Sequence, residues 1–186
     1  MATSKREDAP GELELVRLFV NTIELPDGPE ELGSPRALRN WLRAHGLLDS
    51  PAPVSAQDLR RAIDVREALR ALMVANSGDG LDPTAAPKLD AAAGRAKLAL
   101  RFDGDGGTSV QPGAGGVDGA LGRLLATAGA SMADGSWARL KACRRESCRW
   151  AFFDHTKNHS GAWCDMSSCG NREKSEAYRR RHAGAR

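Results

Sequence analysis

The sequence of 186 residues contains no long apolar run, and aromatic residues make up only 5% of it. A membrane-spanning helix needs about 20 consecutive apolar residues, and no stretch approaches that length. The N-terminal segment MATSKREDAPGELEL is charged and lacks the apolar centre of a secretory signal peptide. These absences argue against a membrane anchor, and we expect the protein in the reducing cytoplasm.

The sequence also lacks the patterns of common catalytic and nucleotide-binding sites. Its glycine clusters are not followed by the lysine and helix of a phosphate-binding loop. Asp103 and Asp105 lie among glycines, but the ligand spacing and the closing glutamate of a calcium loop are missing. His155 and His159 fall in a polar turn, where contact with phosphate or solvent fits better than proton transfer. We therefore predict that the protein is not an enzyme.

Cysteine is scarce, and the four cysteines form two pairs near the C-terminal end, Cys143 with Cys148 and Cys164 with Cys169. Each pair encloses four residues, and fifteen residues separate the pairs. Four thiolates in two short loops can close tetrahedrally around one zinc ion. Two disulfides, with three possible connectivities, are the alternative, but disulfides are uncommon in a reducing cytosol. We predict a structural zinc site, because four thiolates leave no open position for catalysis.

The residues around the cysteines predict a small finger. A short aromatic strand at 149–154 is followed by a polar turn at 155–161 and a return segment at 162–164, which together predict a hairpin. Good helix formers at 173–181 follow the last cysteine. A knuckle, a hairpin, a second knuckle and a helix predict a treble-clef-like zinc finger over residues 141–186.

The segment WCDMSSCGNREK, from Trp163 to Lys174, resembles the signature of the CGNR zinc-finger family, which is named for residues 169–172. The upstream residues that also match the family's pattern are Phe153, Asp154, Lys157, Asn158 and Ser160. Thr156 stands where serine is usual, and Gly161 and Ala162 stand where arginines are common.

The N-terminal part resembles the ABATE domain, which usually accompanies this finger. The resemblance rests on LFVNT at 18–22 and on residues 36–48, with Trp41, Leu42 and Gly46. It implies a bacterial stress-induced transcription regulator. We expect an ABATE-like domain over residues 1–140.

Helix signals dominate this N-terminal part. Ser34 with Pro35, and Ser55 with Asp58, are typical helix starts, whereas residues 13–23 fit a buried strand or a helix equally well. Alternating apolar residues at 98–102 and 108–111 flank a glycine-rich turn and predict a hairpin. The predicted fold class is α+β, with a mainly helical N-terminal domain, a small antiparallel β component and the C-terminal finger.

The net charge of +3 is unevenly distributed. From Lys141 onward, eleven Lys or Arg outnumber five Asp or Glu, a net charge of +6, whereas residues 1–140 carry −3. A basic module on a mildly acidic body is typical of a protein that binds a polyanion at one end, although such a run can also be a solvated tail. Together with the finger, the charge predicts DNA binding.

Asn171 and Arg172, at the start of the last helix, are our candidates for contacts with base edges. Alternatively, they cap the knuckle or bridge to Asp154. The other candidate DNA-binding residues are Lys174, Arg179, Arg180, Arg181, Lys157 and Asn158.

A candidate ligand pocket involves Asn21, Thr22 and Arg66. The polar pair inside an apolar stretch must find hydrogen-bond partners if buried, either by capping the next turn or by facing a pocket. Arg66 and Arg70 are predicted mainly on a solvated helix face, although an arginine turned toward Asn21 would bind an acidic ligand.

The sequence thus predicts a zinc-containing, DNA-binding transcriptional regulator with an N-terminal domain that senses a small molecule or a protein. The alternative is a zinc-stapled scaffold for protein or RNA interaction without sequence-specific DNA binding. Since a lone finger contacts little DNA, a homodimer is a further expectation.

Overall fold

The computed structural model describes residues 8–49 and 53–183, and within these ranges it has six α-helices and two antiparallel two-stranded sheets. The helices are α1 (Leu13–Val20), α2 (Pro35–Ala44), α3 (Ala56–Asn76), α4 (Ala85–Ala96), α5 (Gly116–Asp134) and α6 (Asn171–Ala183). The strands are β1 (Leu98–Phe102), β2 (Thr108–Pro112), β3 (Leu140–Ala142) and β4 (Ala151–Phe153). The predicted α+β class is confirmed.

Local sequence explains where two helices begin. The Ser34 hydroxyl accepts a hydrogen bond from the Ala37 N–H at 3.1 Å, directly before α2. Ser55 and Asp58 form a reciprocal capping box at the start of α3. The ambiguous apolar stretch at 13–20 is a helix, α1, which buries one side against the core.

One apolar core joins the helices to the first part of the finger. Its fully buried side chains include Phe19 of α1, Leu69 of α3 and Leu121 of α5. Leu140 of β3 and Phe153 of β4 belong to the same cluster. The sheet at the start of the finger is therefore part of the core of the N-terminal domain.

The β1–β2 hairpin is confirmed, with Leu100 opposite Val110. It packs on α5 at Gly122, where an added Cβ would lie 2.7 Å from the Ala96 Cβ and 2.9 Å from the Pro112 Cβ. Only glycine lets the hairpin approach the helix this closely.

The predicted return strand at 162–164 is wrong, because β4 pairs with β3 instead. Phe153 lies opposite Leu140 in this pair, and both side chains complete the core beside α1 and α3. Burial of these apolar side chains explains why β4 pairs on the side of the N-terminal domain. The return segment is extended without being a strand, and its Ala162 carbonyl accepts a bond from the Arg144 N–H at 3.0 Å.

The prediction of a solvated face for Arg66 and Arg70 is also wrong, since they are only 2% and 5% exposed. Their guanidinium groups are compensated by carboxylates and by backbone carbonyls, as a buried charge requires.

No helix in the described ranges combines the length and apolarity needed to cross a membrane.

Candidate metal centre

The four cysteines converge on one point. Their Sγ atoms all lie within 4.8 Å of one another, with 3.7 Å between Cys148 and Cys164 and 3.8 Å between Cys164 and Cys169. A tetrahedral site with zinc–sulfur bonds of about 2.3 Å has sulfur–sulfur distances of about 3.8 Å. The cluster is therefore positioned to bind a metal ion and fits zinc. Cys143 is fully buried and Cys148 is half-buried.

Two turns bring the thiols together. Cys143 follows β3, and its N–H donates to the Trp150 carbonyl at 2.9 Å. After Cys164, the Asp165 carboxylate accepts the Ser167 N–H at 2.7 Å and so caps the tight turn Met166–Gly170. This turn carries Cys169 back to the cluster.

Position 170 has no room for a side chain, so glycine is required there. A Cβ at this position would collide with the Met166 Sδ and would lie 3.2 Å from the Trp163 Cδ1. The chain can therefore pass between these side chains only with glycine. Directly after it, Asn171 starts α6 and donates from its side-chain amide to the Ser167 carbonyl at 3.1 Å.

The crowded thiols influence one another's ionisation. Hydrogen bonds from Cys148 and Cys164 lower the pKa of Cys143. The bond to Cys143 in turn raises the pKa of Cys148 and that of Cys164. Because each thiolate formed opposes the next, four thiolates require a cation among them, which is the role that zinc fills in such a site.

A buried ion pair supports the turn at 155–161. Lys141 Nζ lies 2.7 Å from Asp154 Oδ2, and both residues are almost fully buried. The carboxylate also accepts the N–H groups of Thr156 at 3.0 Å and Gly161 at 2.8 Å. Burial opposes the ionisation of Asp154, but the hydrogen bonds from Lys141, Thr156 and Gly161 outweigh it and lower the pKa to about 2.

This network orders the turn that presents the DNA-binding candidates Lys157 and Asn158, which are both exposed. It also occupies Asp154, whose carboxylate is bonded by Lys141 and by residues of its own turn.

The other DNA-binding candidates are gathered on α6. Asn171, Arg172, Lys174, Arg179, Arg180 and Arg181 are all exposed. The two glutamates of α6 are engaged in ion pairs, Glu176 with Arg145 at 2.9 Å and Glu173 with Arg180 at 3.0 Å. The first of these pairs attaches the helix to the first knuckle.

The three pocket candidates use their polar atoms in internal contacts. Asn21 donates to the Ala151 carbonyl at 2.9 Å and accepts the Ala151 N–H at 2.8 Å. Thr22 donates to the Phe19 carbonyl at 2.9 Å. Arg66 donates to both carboxylate oxygens of Glu30, at 2.7 and 2.8 Å, and to the Thr22 hydroxyl at 3.1 Å.

Asn21 therefore joins α1 to β4 of the finger. Arg70 reinforces the same junction, because it donates to the Arg149 carbonyl at 2.9 Å and to the Val20 carbonyl at 2.5 Å. We call these contacts of Asn21 and Arg70 the seam. Sequence reasoning missed the role of Arg70, and it missed Lys141 and the exposed Tyr178 as well. The apolar pattern of α3 predicts that Leu69 and Met73 are buried, but it does not predict that Arg70 beside them is buried too.

Comparison with protein families assigns both parts of the chain. The ABATE family, described as "Putative stress-induced transcription regulator", matches residues 13–135. The CGNR zinc finger matches residues 139–182. Among curated proteins, no sequence matches the chain.

Proposed function

Since the chain belongs to the ABATE family and carries a CGNR zinc finger, we propose that it is a transcription regulator whose zinc-bound finger binds DNA. The observation that supports this most directly is the charge distribution on α6. Both glutamates of the helix are used in ion pairs, while its remaining charged side chains are exposed and basic.

One face of α6 is suited to a groove of duplex DNA. Asn171, Lys174, Tyr178 and Arg181 follow one another at helical spacing and therefore lie on the same side. The amide and the cations can contact base edges and phosphates, and Tyr178, 58% exposed, adds a hydroxyl for phosphate contact. Arg172 and Arg179 lie together on the adjacent side of α6, about 100° around the helix from Asn171, where they would contact the phosphate backbone.

The turn at 155–161 adds a second contact region. Lys157 and Asn158 are exposed there, and the buried pair of Lys141 and Asp154 supports the turn. Such preorganisation reduces the entropy lost on binding.

We place a sensing role in the N-terminal domain. The seam joins α1 and α3 directly to the finger, so an effector that moves these helices would move the finger as well. Asn21, Thr22 and Arg66 are candidates for the responding residues. A small molecule or protein would act by exchanging their internal contacts, in a cytoplasmic protein that functions as a homodimer.

The proposal is tested by fluorescence anisotropy with a pool of genomic duplex fragments at two salt concentrations. We expect binding that needs zinc and weakens steeply with salt. Replacing Arg179, Arg180 and Arg181 with glutamine should reduce the slope of log affinity against log salt by up to about 2.7. Binding that persists after zinc removal, or that ignores salt, would refute the proposal.

A matched control removes the same charge from the N-terminal domain. Arg36, Arg43 and Arg60 are exposed there, and their triple replacement by glutamine should leave the salt slope close to that of the native protein. An equal loss in both triple variants would show that net charge, rather than the α6 surface, determines binding.

The scaffold function remains the second candidate. It is favoured by β3 and β4, which belong to the core of the N-terminal domain, because a finger so attached can also serve as a rigid docking platform. A zinc-loaded protein that binds RNA or a protein but no duplex DNA would support it.

A further inference from the structure

The β1–β2 hairpin exposes an apolar face. Leu100, Phe102 and Val110 are 56%, 77% and 45% exposed, and their register places them on one side of the sheet. A groove of about 1180 Å³ lies between this hairpin and α5, where small residues such as Ala126 and Ala130 line it. A cluster of exposed apolar side chains beside a groove is typical of an interaction surface.

The hairpin also has an open edge. Strand β1 pairs with β2 on one side, and in the described part of the chain no strand pairs with its other side. The Asp103 N–H donates to the Gly107 carbonyl at 3.0 Å, and the Gly113 N–H donates to the Lys97 carbonyl at 3.1 Å. In an antiparallel pair the hydrogen-bonded residues alternate. The backbone groups of Leu98, Leu100 and Phe102 therefore point away from β2.

Charge complementarity identifies the occupant of this edge. If a second β1 pairs antiparallel about a two-fold axis at Leu100, each Lys97 lies opposite Asp103 of the other copy. Leu98 then lies opposite Phe102, on the apolar face. In the monomer Leu98 is half-buried, whereas Lys97, Leu100, Phe102 and Asp103 are exposed.

Neighbouring registers are disfavoured by the same residues. A two-fold axis at residue 99 would place Lys97 opposite Arg101, and an axis at 101 would place Arg101 opposite its own copy. Like charges directly opposite each other destabilise a strand pair. With the axis at Leu100, the open backbone groups of the two strands pair, apolar side chains lie opposite apolar side chains, and opposite charges face each other.

We infer that this edge is a homodimer interface in which the β1 strands of two copies pair antiparallel and form a four-stranded sheet across a two-fold axis. The pairing satisfies the open backbone groups and buries Leu100 and Phe102. The inference rests on the homodimer proposed above and names its interface. It does not depend on DNA binding, because the experiment measures the association of the chain without DNA.

Sedimentation velocity of the full-length, zinc-loaded protein over a concentration series tests this interface. The native protein should be a dimer, and Leu100→Lys, which places two lysines together at the axis, should weaken association by about a hundredfold or more. Leu81→Lys is the matched control, since Leu81 is 57% exposed outside the hairpin, and it should dimerise like the native chain. A native protein that stays monomeric at its highest soluble concentration, or a Leu100→Lys variant that still dimerises normally, would overturn the inference.

A charge exchange tests the register. Lys97→Asp and Asp103→Lys each place like charges opposite each other and should weaken self-association at least about tenfold. Mixing the two variants should restore a heterodimer, because both contacts then unite opposite charges.

Since the Asp103 carboxylate also accepts the Gly107 N–H within its own turn, circular dichroism must show that the Asp103→Lys chain is folded. If this variant is misfolded, Asp103→Asn, which keeps the acceptor, replaces it and should weaken association without restoring it on mixing. Folded variants that fail to combine would exclude this register.

Discussion

The two parts of this chain are stabilised by different interactions. The N-terminal helices pack around buried apolar side chains such as Leu42 and Leu69, and such packing needs no bound ion. Among the described residues, the cluster around the metal centre fully buries one non-cysteine side chain, Phe152, beside Cys143, Cys164 and Cys169, and Trp150 and Trp163 are partly buried against it. A core of this size cannot offset the conformational entropy of ordering the segment. We therefore expect the finger to depend on zinc, whereas the helices should hold without it.

The comparison is complicated by the place where the two parts meet. Strand β3 precedes the first cysteine, and β4 lies between the two cysteine pairs. Even so, Leu140 of β3 and Phe153 of β4 pack in the core of the helical domain. We therefore expect the metal to matter most for the two knuckles and α6, because the turn at 155–161 is also supported by the pair of Lys141 and Asp154. The predicted division at residue 140 therefore stays a prediction, and the seam makes the two parts mechanically dependent on each other.

Removal of the metal should have the largest effect. We expect Cys169→Ser to lose zinc and the helicity of α6, because structural zinc contributes about 10–16 kcal/mol to the folding of finger peptides. The N-terminal helices should retain a cooperative unfolding transition. Zinc content, circular dichroism and thermal unfolding measure these effects, with Ser168→Ala as the control beside the ligand. Complete unfolding of the Cys169→Ser chain would show that the helices depend on the metal too.

Loss of the buried ion pair between Lys141 and Asp154 should have the second-largest effect on stability. Asp154→Asn leaves the Lys141 ammonium buried without a carboxylate, and breaking such a pair costs about 3–5 kcal/mol. Asp79→Asn is the control, because Asp79 pairs with Arg149 at the surface and is 44% exposed, where a pair contributes at most about 1 kcal/mol. Urea unfolding of the zinc-loaded variants compares them. Equal destabilisation by both substitutions would contradict the distinction between the two pairs.

Sequence predicted the elements of this fold better than it predicted their partners. The capped starts of α2 and α3 depend on residues three positions apart, so they are visible in the sequence. The pairing of β4 with β3 depends instead on apolar burial against helices far away in the chain. No local pattern at 162–164 could show that β4 would pair with β3 and leave this segment unpaired.

The metal centre was predictable because cysteine spacing encodes it, and the distances among the four thiols fit that prediction. The buried charges were not predictable in the same way. Arg66 and Arg70 lie among helix formers and look like surface residues, because their pairing with the nearby Glu67 is also typical of an exposed helix face. The partners that accompany their burial, Glu30 and the Val20 carbonyl, lie 36 and 50 residues away. Long-range compensation of a charge leaves no mark on the spacing of its neighbours.

The seam should contribute less to the free energy of unfolding than the pair of Lys141 and Asp154. Asn21→Ala removes two hydrogen bonds and leaves the Ala151 N–H and carbonyl buried without their partner, which should cost about 2 kcal/mol. Asn40→Ala, at an exposed position of α2, should change stability by less than about 0.5 kcal/mol. Urea unfolding measures both, and hydrogen exchange at β4 should accelerate only in Asn21→Ala. Unchanged exchange at β4 would mean that Asn21 does not hold the finger to α1.

The smallest effect concerns Glu30, whose carboxylate is partly exposed beside Arg66. Burial opposes ionisation of Glu30, but hydrogen bonds from Arg66 and the Leu32 N–H outweigh it and lower its pKa from the usual 4.5. A lowered folded-state pKa stabilises the protein above the usual value, and this stabilisation is lost as the pH falls through the folded-state pKa. The difference in unfolding free energy between Glu30 and Glu30→Gln chains should therefore shrink on acidification.

Measurement in the Cys169→Ser background separates this effect from zinc release, which acid also causes. Glu31→Gln, at an exposed neighbouring position, is the control and should change stability little. If the difference between the Glu30 and Glu30→Gln chains stays constant as the pH falls below 4.5, the ion pair with Arg66 does not stabilise the helical domain. The contacts of Arg66 with Glu67 and Thr22 would then be enough to stabilise its buried charge. In that case the ion pair with Glu30 would add nothing to the apolar packing that stabilises the helical domain.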